Sequence, residues 1–224
     1  MDSLDETLLA ESRPLINDFL YARIADDIER QGCSICPAVL PTHISDALRS
    51  HQLNLNAANY SAAGIGRGQG YITNESIRTD DICWIDEASI AGSAWLDWTA
   101  GLQRFLNRRL FLGLFSFESH FAHYSPGDYY KRHYDAFRGD ANRILSIITY
   151  LNPVWDQADR GELVIYRDDA DQEGIKVLPN YGTIVVFLSG EFPHEVLPAE
   201  KDRYSVAGWF RLNGSNVNKV DPPG

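Results

Sequence analysis

Apolar residues recur at helical spacing through the first half of the chain and alternate with polar ones through the second. Leu15, Phe19, Leu20, Ile24 and Ile28 share one face of a 3.6-residue repeat, which predicts an amphipathic helix over 14–31 after a polar, loosely held start at 1–13. A short apolar run at 33–40 leads to Pro41-Thr42, an N-terminal cap for a second helix carrying Ile44, Leu48 and Leu53. Ile82, Trp84 and Ile85 suggest a short strand. Trp95, Leu96, Trp98, Leu102, Phe105 and Leu106 place a third helix over 92–109, whose basic last turn suits the negative end of a helix dipole.

Beyond the third helix the period falls to two. Strands are expected at 115–123, 129–135, 143–151, 162–167, 174–178, 182–188, 194–198 and 204–212. Turn signals separate them: Ser125-Pro126-Gly127, Arg138-Gly139-Asp140, Asp159-Arg160-Gly161, Pro179-Asn180-Tyr181-Gly182 and Ser189-Gly190. Closely spaced strands without intervening helices argue for a sandwich or jelly roll. Between the helical and β parts, 57–80 reads as a long mobile loop with glycine at 64, 66, 68 and 70. Its spacing is not that of a phosphate-cradling loop, so a lid or binding loop is the expectation. The whole is read as one α+β domain. Residues 1–112 give helical support and the loop, 113–213 a jelly-roll core, and 214–224 a polar tail.

The chain has 224 residues, 44% hydrophobic and 23% charged, as in ordinary soluble proteins. Its net charge of −11 opposes phosphate backbones, so no nucleic-acid partner is expected. The densest basic cluster, Arg104, Arg108 and Arg109, has helical spacing and reads as a solvated face. No basic segment precedes an apolar stretch at the N-terminus, and no run reaches the roughly 18 apolar residues of a membrane span. With only Cys33, Cys36 and Cys83, the expectation is free thiols and a cytoplasmic location. Cys33 and Cys36 lack the second pair a zinc knuckle needs and read as buried thiols in a short strand.

The candidate chemistry begins at His133-Tyr134-Asp135. On a strand, residues i and i+2 project from one face, so an imidazole and a carboxylate can bind the same ion. His194, in Phe-Pro-His-Glu-Val, is the natural third ligand from a neighbouring strand. Two histidines and one carboxylate on one face of a metal leave further positions open, as in non-haem Fe(II) oxygenases. Each piece alone is common, a lone histidine being more often structural. Arg203, entering the last strand, changes the balance, because a guanidinium can grip the far carboxylate of a dicarboxylic keto acid bound at the metal. The alternative is a surface arginine paired with Asp202 or Glu200.

Taken together, these motifs resemble the 2-oxoglutarate- and Fe(II)-dependent dioxygenases, and more closely the prolyl hydroxylases that modify hypoxia-inducible factor and their bacterial homologues. The resemblance spans residues 77–212 and rests on a series of motifs. They are Ile77-Arg78-Thr-Asp80-Asp-Ile82-Cys-Trp84, Tyr124-Ser-Pro-Gly, Tyr130-Lys-Arg-His133-Tyr-Asp135, Ile148-Thr-Tyr150-Leu-Asn-Pro-Val-Trp155, Gly161-Glu-Leu163, Pro193-His194-Glu-Val196-Leu-Pro198 and Arg203-Tyr-Ser-Val-Ala-Gly-Trp209. It implies a double-stranded β-helix, a cupin-like jelly roll backed by the N-terminal helices. His133, Asp135 and His194 would hold iron, and Arg203 and Tyr150 the distal carboxylate of 2-oxoglutarate. Tyr124 would stand near the cosubstrate, and Leu163, Val196 and Trp209 would line the pocket. Arg143 would meet a protein substrate, and Arg78 with Asp80 would form a charge pair on the closing loop.

The implied cofactors are Fe(II), 2-oxoglutarate and O2, with ascorbate as an auxiliary reductant; the products are succinate, CO2 and a hydroxylated prolyl residue. Bacterial members imply elongation factor Tu as partner. His120 and Ala207 depart from the family pattern. His120, in phase with Tyr124, reads as a polar contact or a satisfied core histidine, with His123 on the opposite side of its strand. Alternatives are hydroxylation of a free amino acid or other small molecule, and a non-catalytic cupin-like sensor.

Overall fold

The structure, a computed structural model, describes residues 3–63, 76–136 and 142–214, with side chains from residue 17 onward. Helix α1 (Ser3–Gln31) is followed by strand β1 (Cys33–Cys36), helix α2 (Thr42–Asn54), strands β2 (Ser61–Ala62) and β3 (Asp81–Trp84), and helix α3 (Ile90–Leu110). Eight further strands complete the described chain: β4 (Ser116–Tyr124), β5 (Tyr130–His133), β6 (Arg143–Tyr150), β7 (Leu163–Ile165), β8 (Ile175–Val177), β9 (Ile184–Leu188), β10 (His194–Val196) and β11 (Arg203–Arg211).

Helix α1 begins at Ser3, so the loosely held start expected over 1–13 is corrected. Periodicity sees no apolar face in SLDETLLAESR, but Leu, Glu, Ala and Arg are good helix formers and carry the helix without one. Thr42 does not cap α2. The cap position is Pro41, with no side-chain bond, and its carbonyl accepts from the Ile44 and Ser45 amides. Helix α3 is capped by Ser89, whose Oγ accepts from Gly92 N at 2.9 Å, and stops where Phe111 turns left-handed. The basic end of α3 meets α1 through Arg109, 3.2 Å from Asp26 and 3.7 Å from Glu29.

The strands form two antiparallel sheets. The larger has seven strands in the order β1-β9-β6-β11-β4-β3-β2, and the smaller four in the order β5-β10-β7-β8. Expected strands appear in their places, those of the small sheet trimmed to three or four residues. In the large sheet Leu145 and Ile147 of β6, Val186 of β9, and Val206 and Phe210 of β11 pack with Trp95, Leu102 and Leu106 of α3. The alternate residues Ile148, Tyr150, Val185 and Phe187 join Leu163, Ile165 and Val196 of the small sheet in a second core. The helices thus cover one face of the large sheet and the small sheet closes the other. This is the double-stranded β-helix arrangement, and between its sheets lies the space for a site.

The turn at 138–140, the glycines at 64–70 and the tail from 215 lie outside the described residues. Of the loop expected over 57–80, residues 57–59 form a 3-10 turn and 61–62 pair as β2. No helix among the described residues is long and apolar enough to cross a membrane.

Leu145 is fully buried against the helices. Leu145→Ala should therefore cost about 2–5 kcal/mol in urea unfolding. A loss under 1 kcal/mol would show that the helix layer is not packed on this sheet as described.

Candidate active site

His133 closes β5 and His194 opens β10, and the antiparallel register sets their Cα atoms opposite one another. Asp135 lies past the end of β5, so the i, i+2 strand expected at 129–135 stops at His133. The carboxylate is aimed instead by a bend and by Ser146, whose Oγ donates to Asp135 Oδ2 at 2.6 Å. His133 Nδ1–H donates to the Lys131 carbonyl at 2.8 Å, and His194 Nδ1–H to the Phe192 carbonyl at 3.1 Å. Carbonyls only accept, so each ring carries a hydrogen on Nδ1 and turns Nε2 toward Asp135. Those Nε2 atoms lie 3.6 and 3.5 Å from Asp135 Oδ1 and Oδ2, and the three candidate ligand atoms fall within 4.8 Å of one another.

Protonation favours a cation at this point. Burial and the neighbouring His133 charge lower His194 to about 4. Burial pushes the Asp135 carboxyl up, but the two histidines outweigh it and hold it well below the usual carboxylate range. A neutral imidazole and an ionised carboxylate are the forms a metal requires.

Arg203 lies in the same cavity, of about 360 Å³, with the three ligand candidates. It is 2% exposed. Its Nε donates to the Gly161 carbonyl at 2.9 Å and one terminal nitrogen to Ser205 Oγ at 3.3 Å. Among the described residues no carboxylate pairs with it. The surface alternative is excluded: Asp202 pairs with His123 at 2.7 Å and Glu200 with Arg160 at 3.2 Å. The guanidinium carbon stands 5.0 Å from the Tyr124 ring and 5.1 Å from the Tyr150 ring. Tyr150 is fully buried and its hydroxyl meets no partner at full hydrogen-bond geometry among the described residues; burial, partly offset by the nearby Arg203, raises its pKa to about 12. A buried cation beside a buried hydroxyl is what a carboxylate would satisfy.

The remaining expected residues surround the same space. Tyr124, Leu163, Val196 and Trp209 line it, and Tyr150 meets it through Arg203, 5.1 Å from the tyrosine ring. Arg143 also lines it, stacked 3.7 Å over Trp209 and paired with Glu118 at 2.8 Å. Arg78 and Asp80, expected as a charge pair on the closing loop, form a buried two-point ion pair, 2.8 and 2.6 Å. Arg78 packs 4.2 Å over Tyr130, and Tyr130 in turn stacks on His133 at 3.5 Å.

Comparisons with known proteins agree with this geometry. The model of the 2OG-Fe(II) oxygenase superfamily matches residues 119–211. A Pseudomonas putida prolyl-4-hydroxylase structure is 38% identical, with a TM-score of 0.76, over 87% of this chain and 100% of that one. The chain belongs to the 2OG-Fe(II) oxygenase superfamily. A Trichoplax adhaerens prolyl hydroxylase, solved with a peptide fragment of the hypoxia inducible factor oxygen degradation domain, has a TM-score of 0.78 at 26% identity. That similarity covers 89% of this chain and 92% of the other. Egl nine homolog 1 of Homo sapiens is 32% identical over 85 residues, 38% of this chain and 20% of that protein. The match therefore spans only a fifth of that curated relative's length.

Oxygenases of this superfamily use Fe(II), 2-oxoglutarate and O2, and the His133-Asp135-His194 donor set fits the iron. The buried Tyr150 hydroxyl and the carboxylate-free Arg203 fit the far end of the keto acid. Ser146, Ser189 and Glu118 were not singled out from the sequence. A serine inside the apolar run Arg143–Tyr150 was the available signal for Ser146.

His120 lines the cavity, 3% exposed, its Nδ1–H donating to the Phe121 carbonyl at 3.2 Å. Burial, reinforced by the Arg78 charge, lowers its pKa from 6.5 to about 4. The unfolded chain binds this proton near 6.5 and the folded chain only near 4, so stability falls as pH drops between them. His120→Leu should therefore lose less stability than the parent between pH 6.5 and 4 in urea titrations. Equal losses would show that His120 is not one of the groups responsible.

Proposed function

We propose that this oxygenase hydroxylates a prolyl residue of a protein, with elongation factor Tu as the substrate and the cytoplasm as the compartment. The observation that carries the reading is that one cavity is lined both by a two-histidine, one-carboxylate donor set and by a buried arginine that no carboxylate among the described residues pairs with. Similarity to a Pseudomonas putida prolyl-4-hydroxylase over 87% of this chain supports the reaction, and the peptide-bound Trichoplax relative supports a protein as substrate. Free cysteines suit a reducing compartment.

In this reading His133, Asp135 and His194 hold the iron. Arg203 binds the distal carboxylate of 2-oxoglutarate through its remaining N–H groups, helped by the Tyr150 hydroxyl, with Tyr124 beside the cosubstrate. When bound, iron and 2-oxoglutarate supply the oxidation: O2 is consumed, the keto acid becomes succinate and CO2, and one oxygen enters a substrate C–H bond. Leu163, Val196 and Trp209 keep water from the reacting centre. Arg143, fixed on Trp209 by Glu118, and the Arg78–Asp80 pair stand where a polypeptide would enter.

The test is mass mapping of elongation factor Tu after incubation with the protein, Fe(II), 2-oxoglutarate and air. One added oxygen on a proline, dependent on 2-oxoglutarate, is the expected result. Succinate without that shift would discard the partner in favour of another protein or a small molecule. Neither signal would leave a non-catalytic binding protein. Arg203→Ala should weaken 2-oxoglutarate binding by roughly 10- to 100-fold in calorimetry while Mn(II) affinity holds, since a charge-assisted hydrogen-bonded pair is lost. Unchanged cosubstrate affinity would remove Arg203 from the site.

A further inference from the structure

Behind Asp135 lies a pair of buried hydroxyls whose hydrogen bonds can run in only one direction. Ser146, on β6, is 1% exposed and Ser189, just past β9, is fully buried. Ser146 Oγ lies 2.6 Å from Asp135 Oδ2 and 2.9 Å from Ser189 Oγ. An ionised carboxylate only accepts, so the single Ser146 proton is committed to Asp135. The contact between the serines must then be Ser189 donating to Ser146. The order Ser189, Ser146, Asp135 follows from proton counting alone.

Backbone bonds make this relay rigid. The Ser189 amide donates to the Ile144 carbonyl at 3.0 Å, and the Ser189 carbonyl accepts from the Ala136 amide at 3.3 Å. Ser189 therefore holds the Asp135 segment twice, through the residue beside it and, by way of Ser146, through its carboxylate. The two carboxylate oxygens are left in different states. Oδ2 accepts a short charge-assisted bond, whereas Oδ1 faces only the longer approach of His133 Nε2 at 3.6 Å among the described residues.

We infer that Ser189 and Ser146 are positioning residues that fix the carboxylate of Asp135, committing Oδ2 to the protein and leaving Oδ1 as the oxygen offered to the metal. The inference rests on the metal reading of His133, Asp135 and His194. A bond to one oxygen stops the carboxylate from rotating to present both. It also moderates the charge on Asp135, so metal affinity should depend on hydroxyls that never touch the ion.

The test is Mn(II) titration without cosubstrate or substrate, followed by water-proton relaxation, with the visible spectrum of the Co(II) form as a second readout. Ser146→Ala should weaken Mn(II) binding by about 10-fold and shift the Co(II) bands, Ser146→Thr should restore both, and Ser189→Ala should give a smaller loss in the same direction. Thermal melting of each metal-free variant separates folding from binding, and Ser189→Ala carries the test if Ser146→Ala does not fold. Mn(II) binding that is absent from the parent chain, or that survives Asp135→Ala, overturns the metal reading and the relay together. Binding lost in Asp135→Ala but undiminished in the serine variants overturns the relay alone.

Discussion

The central strands of the large sheet are buried on both faces, and the site depends on that constraint. In β11, Val206 and Phe210 face the helices while Arg203, Ser205, Ala207 and Trp209 face the cavity. In β6, Leu145 packs on the helices while Ser146 reaches Asp135. A register slip of one residue would exchange the two sets, putting a guanidinium among the helices and a phenylalanine in the cavity. The helices supply none of the ligand candidates, yet their apolar faces fix which side of each strand turns inward. Packing on one side of the sheet thereby determines chemistry on the other.

Charge is then distributed unevenly inside the cavity. Three arginines line it, in a chain with a net charge of −11. Arg78 is matched by Asp80 and Arg143 by Glu118, whereas Arg203 is held only by neutral groups. A buried charge without a counter-ion is costly, and the cost is relieved by an anion arriving from solution. The anchor of that arginine is the Gly161 carbonyl. Gly161 has φ +70°, and a Cβ there would approach the Ala199 Cβ at 2.7 Å. Only glycine fits this turn, so a residue with no side chain sets the direction of the buried guanidinium.

Much of this was legible in the sequence because period-two alternation and turn residues mark strands well, and because His133, Asp135, His194 and Arg203 are types with few other reasons to recur at that spacing. What was not legible depended on three-dimensional partners. Asp202 and Glu200 adjoin Arg203 in the chain, but strand direction sends them outward to His123 and Arg160. Arg78 and Asp80 read as loop residues, yet they fold under Tyr130 as a buried pair. Ser146 shows in the sequence only as a polar residue inside an apolar strand and Ser189 only as a turn residue before Gly190, and neither signal points to Asp135. The beginning of α1 was missed because helix propensity without an amphipathic face leaves no periodic trace.

Two groups of residues at the cavity ask for different things from one ligand. The two histidines and an ionised carboxylate suit a cation with open positions, to which a keto-carboxylate can add. Arg203, with the Tyr150 ring 5.1 Å away, suits a second carboxylate. Leu163 and Val196 add apolar surface to the cavity wall, which favours methylene groups over further polar ones. A dicarboxylic keto acid with a short aliphatic middle meets all three demands. A monocarboxylate would leave the arginine unpaired, so selection against it follows from the cost of that buried charge.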